Sequence, residues 1–275
     1  MNTDQLVSRH YSNGLLEKAI LDALTAAGKD LKNLTHVDLA PVDEFHIGGR
    51  QATIDFAEQL DLRRGMHLLD VGCGLGGASR YFAQEHGCRV TGIDLTEDYI
   101  HAARMLSGRV GIDGVVSYEQ ASALSLPFAE GSFDGAYMLH VGMNIADKEK
   151  VFAEVRRVLK PGGVFGIYDI MRENDGEFSY PVPWSAAPET NFIDAAETYK
   201  KLLASSGFAV SRERSRRDFA IEFFRQMRER MAQSGPSPLG LQIVMGATAP
   251  QKVANMSSML DRGVISPTEI ISRAA

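Results

Sequence analysis

The sequence predicts an α/β fold: a doubly wound, largely parallel sheet with a helical cap. Three observations carry that prediction. From residue 66 onward, short apolar runs alternate with segments of helical pattern. Such runs suit strands whose two faces are both covered by crossover helices. One run leads directly into the glycine-rich stretch Gly72-Cys73-Gly74-Leu75-Gly76-Gly77. The flanking regions, up to about residue 60 and beyond 213, are mainly helical in character.

The spacing of Leu15, Leu16, Ala19, Ile20 and Leu24 predicts a first helix, and Ile54, Phe56, Ala57 and Leu60 mark a second. Residues 33–49, with Pro41 and the run Asp43-Glu44-Phe45-His46, read as a loop between them. Strands are predicted at 67–71, 89–93, 115–118, 133–139 and 164–170, with helices at 76–85, 96–106 and 147–159. A polar insertion at 172–191 holds Pro181, Pro183 and the single tryptophan, Trp184. Then come a helix at 195–206, a strand at 208–212, a charged amphipathic helix at 216–231 and a methionine-bearing helix at 252–260. Ser234-Gly235-Pro236-Ser237-Pro238 breaks the chain between the last two. Periodicity allows either a strand or a short helix at 265–273, and the terminal strand is the expectation. The expected organisation is a cap or lid at 1–60, a core at 61–213, a cap insertion at 214–263 and a final core strand at 264–275.

With 275 residues, 44% hydrophobic and 23% charged, the chain is neither disordered nor a disulfide scaffold. A net charge of −6 argues against a phosphate-neutralising surface, so no nucleic-acid partner is expected. No apolar run approaches the roughly 18 residues of a membrane span, so no membrane partner is expected. Met1-Asn2-Thr3-Asp4 lacks the basic-then-apolar pattern of a secretory leader, and only Cys73 and Cys88 are present. The expected compartment is a reducing cytoplasm. Scattered histidines without an H-x-x-x-H or C-x-x-C pair predict no metal site. A homodimer is compatible with this reading.

The run His67-Leu68-Leu69-Asp70-Val71 enters the glycine loop, and Ala78-Ser79-Arg80-Tyr81-Phe82-Ala83 continues as a helix. Glycines admit positive φ and close ligand approach, and the N–H groups at a helix start attract negative charge. Gly92-Ile93-Asp94 ends the next strand on a carboxylate, where an adenosine ribose would be held. Gly72, Gly74 and Gly77 also satisfy the dinucleotide G-x-G-x-x-G pattern. Asp70 separates the readings, because a carboxylate is awkward beside a pyrophosphate and suits the ammonium and sulfonium of S-adenosylmethionine. A glycine turn with no ligand is the bland alternative.

These residues resemble the class I S-adenosylmethionine-dependent methyltransferases. The resemblance covers roughly residues 60–208 and includes Leu126-Pro127-Phe128 followed by Gly131-Ser132-Phe133-Asp134, and Leu159-Lys160-Pro161-Gly162-Gly163-Val164-Phe165. It implies a Rossmann-like methyltransferase fold, a seven-stranded sheet whose last strand alone is antiparallel, and S-adenosyl-L-methionine as cofactor. It also implies cofactor contacts from Asp70, Gly72, Gly74, Gly76, Asp94, Leu95, Ser122, Ala123 and Met138. Ser122 stands where the family often has an aspartate for the adenine amino group; its hydroxyl can accept a hydrogen bond without that charge.

Within the class the chain is similar to the small-molecule group of sarcosine/dimethylglycine and γ-tocopherol or sterol methyltransferases. After strand four, Met138, His140 and Asn144 replace that group's serine, acidic residue and histidine, so the acceptor's identity does not carry over. His140, at the end of a central strand, is a candidate base with an ordinary pKa of about 6.5. His46, in Glu44-Phe45-His46-Ile47-Gly48-Gly49, is the second catalytic candidate. The competing readings are a core histidine and a helix-capping loop. Tyr11, Met143, Asn144 and Trp184 are expected on the acceptor side. The expected activity is methyl transfer to a small-molecule acceptor, an amine first and a hydrophobic phenol, quinone or terpenoid second. A wall of carboxylates with Trp184 would favour the amine; one of methionine and phenylalanine would favour the hydrophobic acceptor. An NAD(P)-dependent oxidoreductase and a non-catalytic cofactor-binding protein are the readings from other classes.

Overall fold

The computed structural model describes residues 16–275. The sheet has seven strands in the order β3-β2-β1-β4-β5-β7-β6. The strands are β1 (His67–Val71), β2 (Arg89–Asp94), β3 (Val116–Gln120), β4 (Phe133–Leu139), β5 (Leu159–Arg172), β6 (Phe208–Ser215) and β7 (Ile265–Ala274). Strands β1 to β5 are mutually parallel, and β7 runs antiparallel to both β5 and β6. The sheet is therefore the predicted seven-stranded type with its last strand reversed. The parallel strands end at one edge, where the chain turns from strand to helix and open α/β sheets bind ligands.

Alternation along the strands divides the core. On β1 and β4, Leu69, Val71, Ala136 and Met138 face the layer that holds α6 (Lys148–Val158) and α7 (Ala196–Ser205). Leu68 and Tyr137 face the opposite layer of α3 (Gly49–Ala57), α4 (Gly77–His86) and α5 (Glu97–Val110). This is the period of two that a pleated strand imposes. Each large apolar side chain buried this way contributes roughly 1.5–3 kcal/mol.

The stretch 33–49, expected to be a loop, contains helix α2 (His36–Asp43). Its start is a capping box: the Thr35 side chain accepts from the Asp38 N–H, and the Asp38 carboxylate accepts from the Thr35 N–H. Two orphan donors are satisfied there, which offsets the donor that Pro41 removes from a short helix. Strand β5 is longer than predicted. Its pairing with β4 begins at Phe133↔Leu159 and resumes at Gly135↔Val164, so Lys160 to Gly163 form an irregularity inside it. β6 extends two residues past the expected core boundary at 213.

The cap is less separate than the expected division at residue 60. Ala52, Phe56, Ala57 and Leu60, from α3 and the turn after it, lie in the sheet's own core. The remaining cap is α1 (Leu16–Ala26) and α2 on α5, together with α8 (Arg217–Ser234) and α9 (Ala249–Asp261). Helices α8 and α9 share an apolar cluster with Ile47, Met143 and Trp184, over the strand ends. Two arginines at the end of β6 and just after it are tied to carboxylates of the fold. Arg214 meets Glu269 at 2.7 Å, and Arg216 meets Asp55 at 2.5 Å and Glu269 at 3.2 Å. No helix among the described residues is long and apolar enough to cross a membrane.

Candidate active site

A cavity of about 1460 Å³ opens over the strand ends, with the glycine loop at one end and the cap at the other. The loop is shaped by its backbone. The N–H groups of Gly72 and Cys73 both donate to the Ile93 carbonyl, at 2.9 and 2.8 Å, which curls the chain after β1. Gly72 has φ +75°, and a Cβ there would lie 2.5 Å from a methyl group of Val141. Gly74 has φ +52°, and a Cβ there would have no neighbour within 4 Å, because that side faces the cavity. Glycine is thus required at Gly72 by crowding and at Gly74 by conformation.

Two carboxylates line this end. Asp70 is buried, paired across the sheet with Gly92 and Tyr137, and accepts from the Ser79 hydroxyl at 2.6 Å. Burial pushes its pKa up to about 7, with Asp94 and Glu44 adding like-charge repulsion. Asp94 accepts from the Gly74 N–H at 3.0 Å and from the Thr96 N–H at 2.9 Å, and burial raises its pKa as well. Each bond holds the Asp94 carboxylate across the mouth of the loop. A pyrophosphate placed beside Asp70 would meet a negative or proton-sharing group with no compensating cation from the loop. A cationic, phosphate-free nucleoside derivative fits the donor set: carboxylates for positive charge and diol, and an open glycine for close approach.

Of the residues expected to hold the cofactor, Asp70, Gly72, Gly74, Asp94, Leu95, Ser122 and Ala123 line the cavity. Gly76 and Met138 do not. A Cβ on Gly76 would fall 2.4 Å from the Tyr118 hydroxyl oxygen, on the side away from the cavity, so this glycine serves the tight start of α4. Met138 is fully buried in the α6 layer, because strand alternation turns its neighbour Leu139 to the cavity instead. Thr96, Tyr99 and Leu124 also line this end and were not anticipated. Their signal was position, since Thr96 and Tyr99 sit at the start of the helix that follows Asp94.

The acceptor-side candidates are brought together at the other end. Met143, Asn144 and Trp184 line the cavity, and the Trp184 indole N–H donates to Asn191 at 2.8 Å. Tyr11 lies outside the described residues. Trp184 shares an apolar cluster with Phe223, Phe224, Met227 and Met256 from the cap, and Met245 also lines the cavity. This wall is of the methionine and phenylalanine kind, with Arg228 and Arg230 also lining the cavity.

His140 and His46 both line the cavity, with ring centres 5.8 Å apart. His140 has φ +56°, a conformation uncommon outside glycine, and its N–H donates to the Tyr168 carbonyl at 2.7 Å. Its Nε2 is buried without a hydrogen-bond partner among the described residues, and its ring tilts over Tyr168 at 4.8 Å. Burial, with His46 adding to it, holds its pKa well below the usual imidazole range. Burial also lowers the pKa of His46, but the Glu44 carboxylate pulls it back upward. Glu44, Thr53 and Arg50 form a polar cluster beside His46 that no sequence motif marked.

Residues 69–167 match the methyltransferase domain family. An O-methyltransferase of Aspergillus sclerotiorum is 31% identical over 176 residues, covering 63% of this chain and 66% of that protein. A sterol 24-C-methyltransferase of Gibberella zeae is 35% identical over 113 residues, covering 41% of this chain and 30% of that protein. The matched stretches thus span less than two thirds of these relatives' length. Among solved structures, the geranyl diphosphate C-methyltransferase of Streptomyces coelicolor superposes with a TM-score of 0.74 at 16% identity, covering 100% of this chain and 98% of the other.

Proposed function

We propose that this chain, a methyltransferase domain set in the class I S-adenosylmethionine-dependent methyltransferase fold, methylates a hydrophobic small molecule at oxygen or activated carbon. One observation carries the proposal: a single cavity joins a carboxylate-lined glycine loop to a wall of methionine, phenylalanine and tryptophan. In this reading that wall favours the hydrophobic acceptor, the second of the two classes expected from the sequence. An amine acceptor would gain from carboxylates around Trp184, and the residues there are Met143, Phe223, Phe224 and Met256. The relatives acting on oxygen and on a sterol carbon support the same order.

The cofactor, when bound, supplies an electrophilic methyl group on a sulfonium. The chain's own contribution is alignment and exclusion of water, which for a bimolecular displacement is a large share of the barrier. In this reading Asp94 holds the ribose hydroxyls, and Gly72 and Gly74 let the main chain approach. Asp70 balances positive charge. Leu139, Met143 and Trp184 seat the acceptor's apolar body. In the same reading one of the two histidines takes the acceptor's hydroxyl or acidic C–H proton. A nicotinamide cofactor is disfavoured by Asp70 beside the phosphate position.

The test combines calorimetry and turnover. S-Adenosylhomocysteine is expected to bind the wild-type protein and to lose at least about tenfold in affinity with Asp94→Ala, since a hydrogen-bonded carboxylate pair is worth roughly 1.5–3 kcal/mol. A panel of labelled-methyl transfers to naphthols, prenylated quinols and alkyl amines should give product with the hydroxylated aromatics and little with the amines. Absence of S-adenosylhomocysteine binding by folded protein would overturn the activity. Preferred transfer to amines would overturn the acceptor class.

A further inference from the structure

His46 and His140 are chemically unequal, and the difference lies in a buried polar cluster around Nε2 of His46. Nε2 of His46 is 3.1 Å from the Gly49 carbonyl oxygen and 3.0 Å from Oγ1 of Thr53. A carbonyl can only accept, so neutral His46 carries its proton on Nε2 and leaves Nδ1 as the lone-pair nitrogen. The Thr53 hydroxyl in turn donates to Oε2 of Glu44 at 2.7 Å, and that oxygen is 3.6 Å from His46 Nε2. The Glu44 side chain has no solvent exposure and is held from its other oxygen by Arg50 Nε at 2.5 Å. Arg50 is fixed by the ring and carbonyl of His36 and lies over the Tyr81 ring. Among the described residues His140 has no carboxylate partner, and its Nε2 makes no hydrogen bond.

Resting on the proposed methyl transfer, we propose that His46 is the proton acceptor and buried Glu44 its positioning residue, fixing the tautomer through Thr53 and stabilising the imidazolium. His140 is then a neutral group that orients the acceptor. A buried imidazolium without a counter-charge is strongly disfavoured, which removes His140 from the role of base. For a hydroxyl acceptor, the oxygen forms the new O–C bond as the methyl carbon's bond to sulfur breaks, with that electron pair returning to sulfur. The hydroxyl proton passes to Nδ1 of His46. The positive charge thus moves from sulfonium to imidazolium, beside Glu44, and leaves with the proton to solvent when product departs. The ionisable groups around His46 are Glu44 on the preceding loop, Arg50 on α3, His140 after β4 and Tyr168 on β5. Glu44 favours protonation, Arg50 opposes it, and the Tyr168 hydroxyl is committed to the Ile47 carbonyl at 3.0 Å.

The experiment is long-range proton–nitrogen NMR on protein with labelled histidine, which needs no acceptor. In the wild type, His46 is expected as the Nε2–H tautomer, titrating at higher pH than His140. Glu44→Gln keeps the side chain's size and removes its charge. It should lower the His46 titration by about one pH unit or more and leave His140 nearly unmoved. A purely structural Glu44 would leave the His46 titration where it was. If Glu44→Gln does not fold, Thr53→Val cuts the same relay and should shift the same titration in the same direction. A wild-type His46 carrying its proton on Nδ1, a His140 titrating above His46, or an unmoved titration in the variant would each overturn the assignment. Calorimetry with S-adenosylhomocysteine on the same sample separates the two levels. Binding with the wrong tautomer sinks only the base, whereas no binding sinks the methyl transfer on which it rests.

Discussion

At the scale of single residues, the cavity is governed by carboxylates kept out of water. Asp70 titrates near 4 in an unfolded chain and at about 7 in the folded one, mainly because burial penalises its charged form. Between those values the folded state binds more protons than the unfolded state. The stability of ligand-free protein therefore falls as pH rises from about 4 to about 7 and levels off above, by a total on the order of 4 kcal/mol from this group. A bound cation reverses the balance by favouring the carboxylate, so S-adenosylhomocysteine or sinefungin should bind with proton release below pH 7. Asp70→Asn removes the penalty and the attraction together. It should raise the melting temperature at pH 8, change it little near pH 4, and weaken sinefungin binding at least about tenfold. A pH series of melting curves with parallel calorimetry measures both, and a lowered melting temperature at pH 8 would contradict the assignment. Asp70 and Asp94 were legible in the sequence because each lies at or next to the end of a strand, beside a recognisable loop. Glu44 was not, because its meaning lies in contacts with Arg50 and Thr53, six and nine residues on, made only after α2 and α3 fold against each other.

At the scale of elements, two glycines of the same loop should respond in opposite ways to one methyl group. A Cβ on Gly77 would lie 2.5 Å from the Asp43 carbonyl oxygen and 2.7 Å from its Oδ1. That contact is where the end of α2 seats on the start of α4, and Asp43 is itself anchored to Arg80 at 2.6 Å. Backbone cannot step aside as a flexible side chain can, so Gly77→Ala should destabilise the fold by roughly 1–3 kcal/mol. Gly74→Ala meets open space and costs about 1–2 kcal/mol through its left-handed φ, yet its methyl enters the ligand's side of the loop. Denaturant melts should rank Gly77→Ala as the less stable variant. Calorimetry should rank Gly74→Ala as the weaker binder relative to its stability; the opposite ranking would place the ligand elsewhere. The same scale explains what the sequence revealed. β1, β2 and β4 are apolar because both faces are covered, and that burial is visible as composition. β7 was ambiguous because Ser266, Thr268, Glu269 and Ser272 are polar yet buried between two antiparallel neighbours, and Ser266, Glu269 and Ser272 are satisfied by partners far along the chain. Helix α2 was hidden by Pro41, although Thr35 and Asp38 already spelled its capping box.

At the scale of the whole molecule, the sheet and the cap divide one cavity between two chemistries. The sheet edge provides fixed backbone and carboxylates, supported by parallel strands that are buried on both sides. The cap provides an apolar surface from α8 and α9, helices separated in sequence from the glycine loop by more than half the fold. Energetic effects at such separated sites add nearly independently when they share no partner. Met227, half-buried on α8, faces the cavity from the cap, and a carboxylate there would have to be desolvated among Phe223, Phe224 and Met256. Met227→Asp should leave the affinity for S-adenosylhomocysteine within about twofold of the wild type. It should also sharply reduce the fluorescence enhancement of a hydrophobic anionic dye such as anilinonaphthalene sulfonate, because the added negative charge raises the polarity of the apolar compartment and repels the dye. Loss of both signals together would mean that the two ends form one binding unit. Retention of dye binding would mean that the apolar ligand sits somewhere other than under the cap.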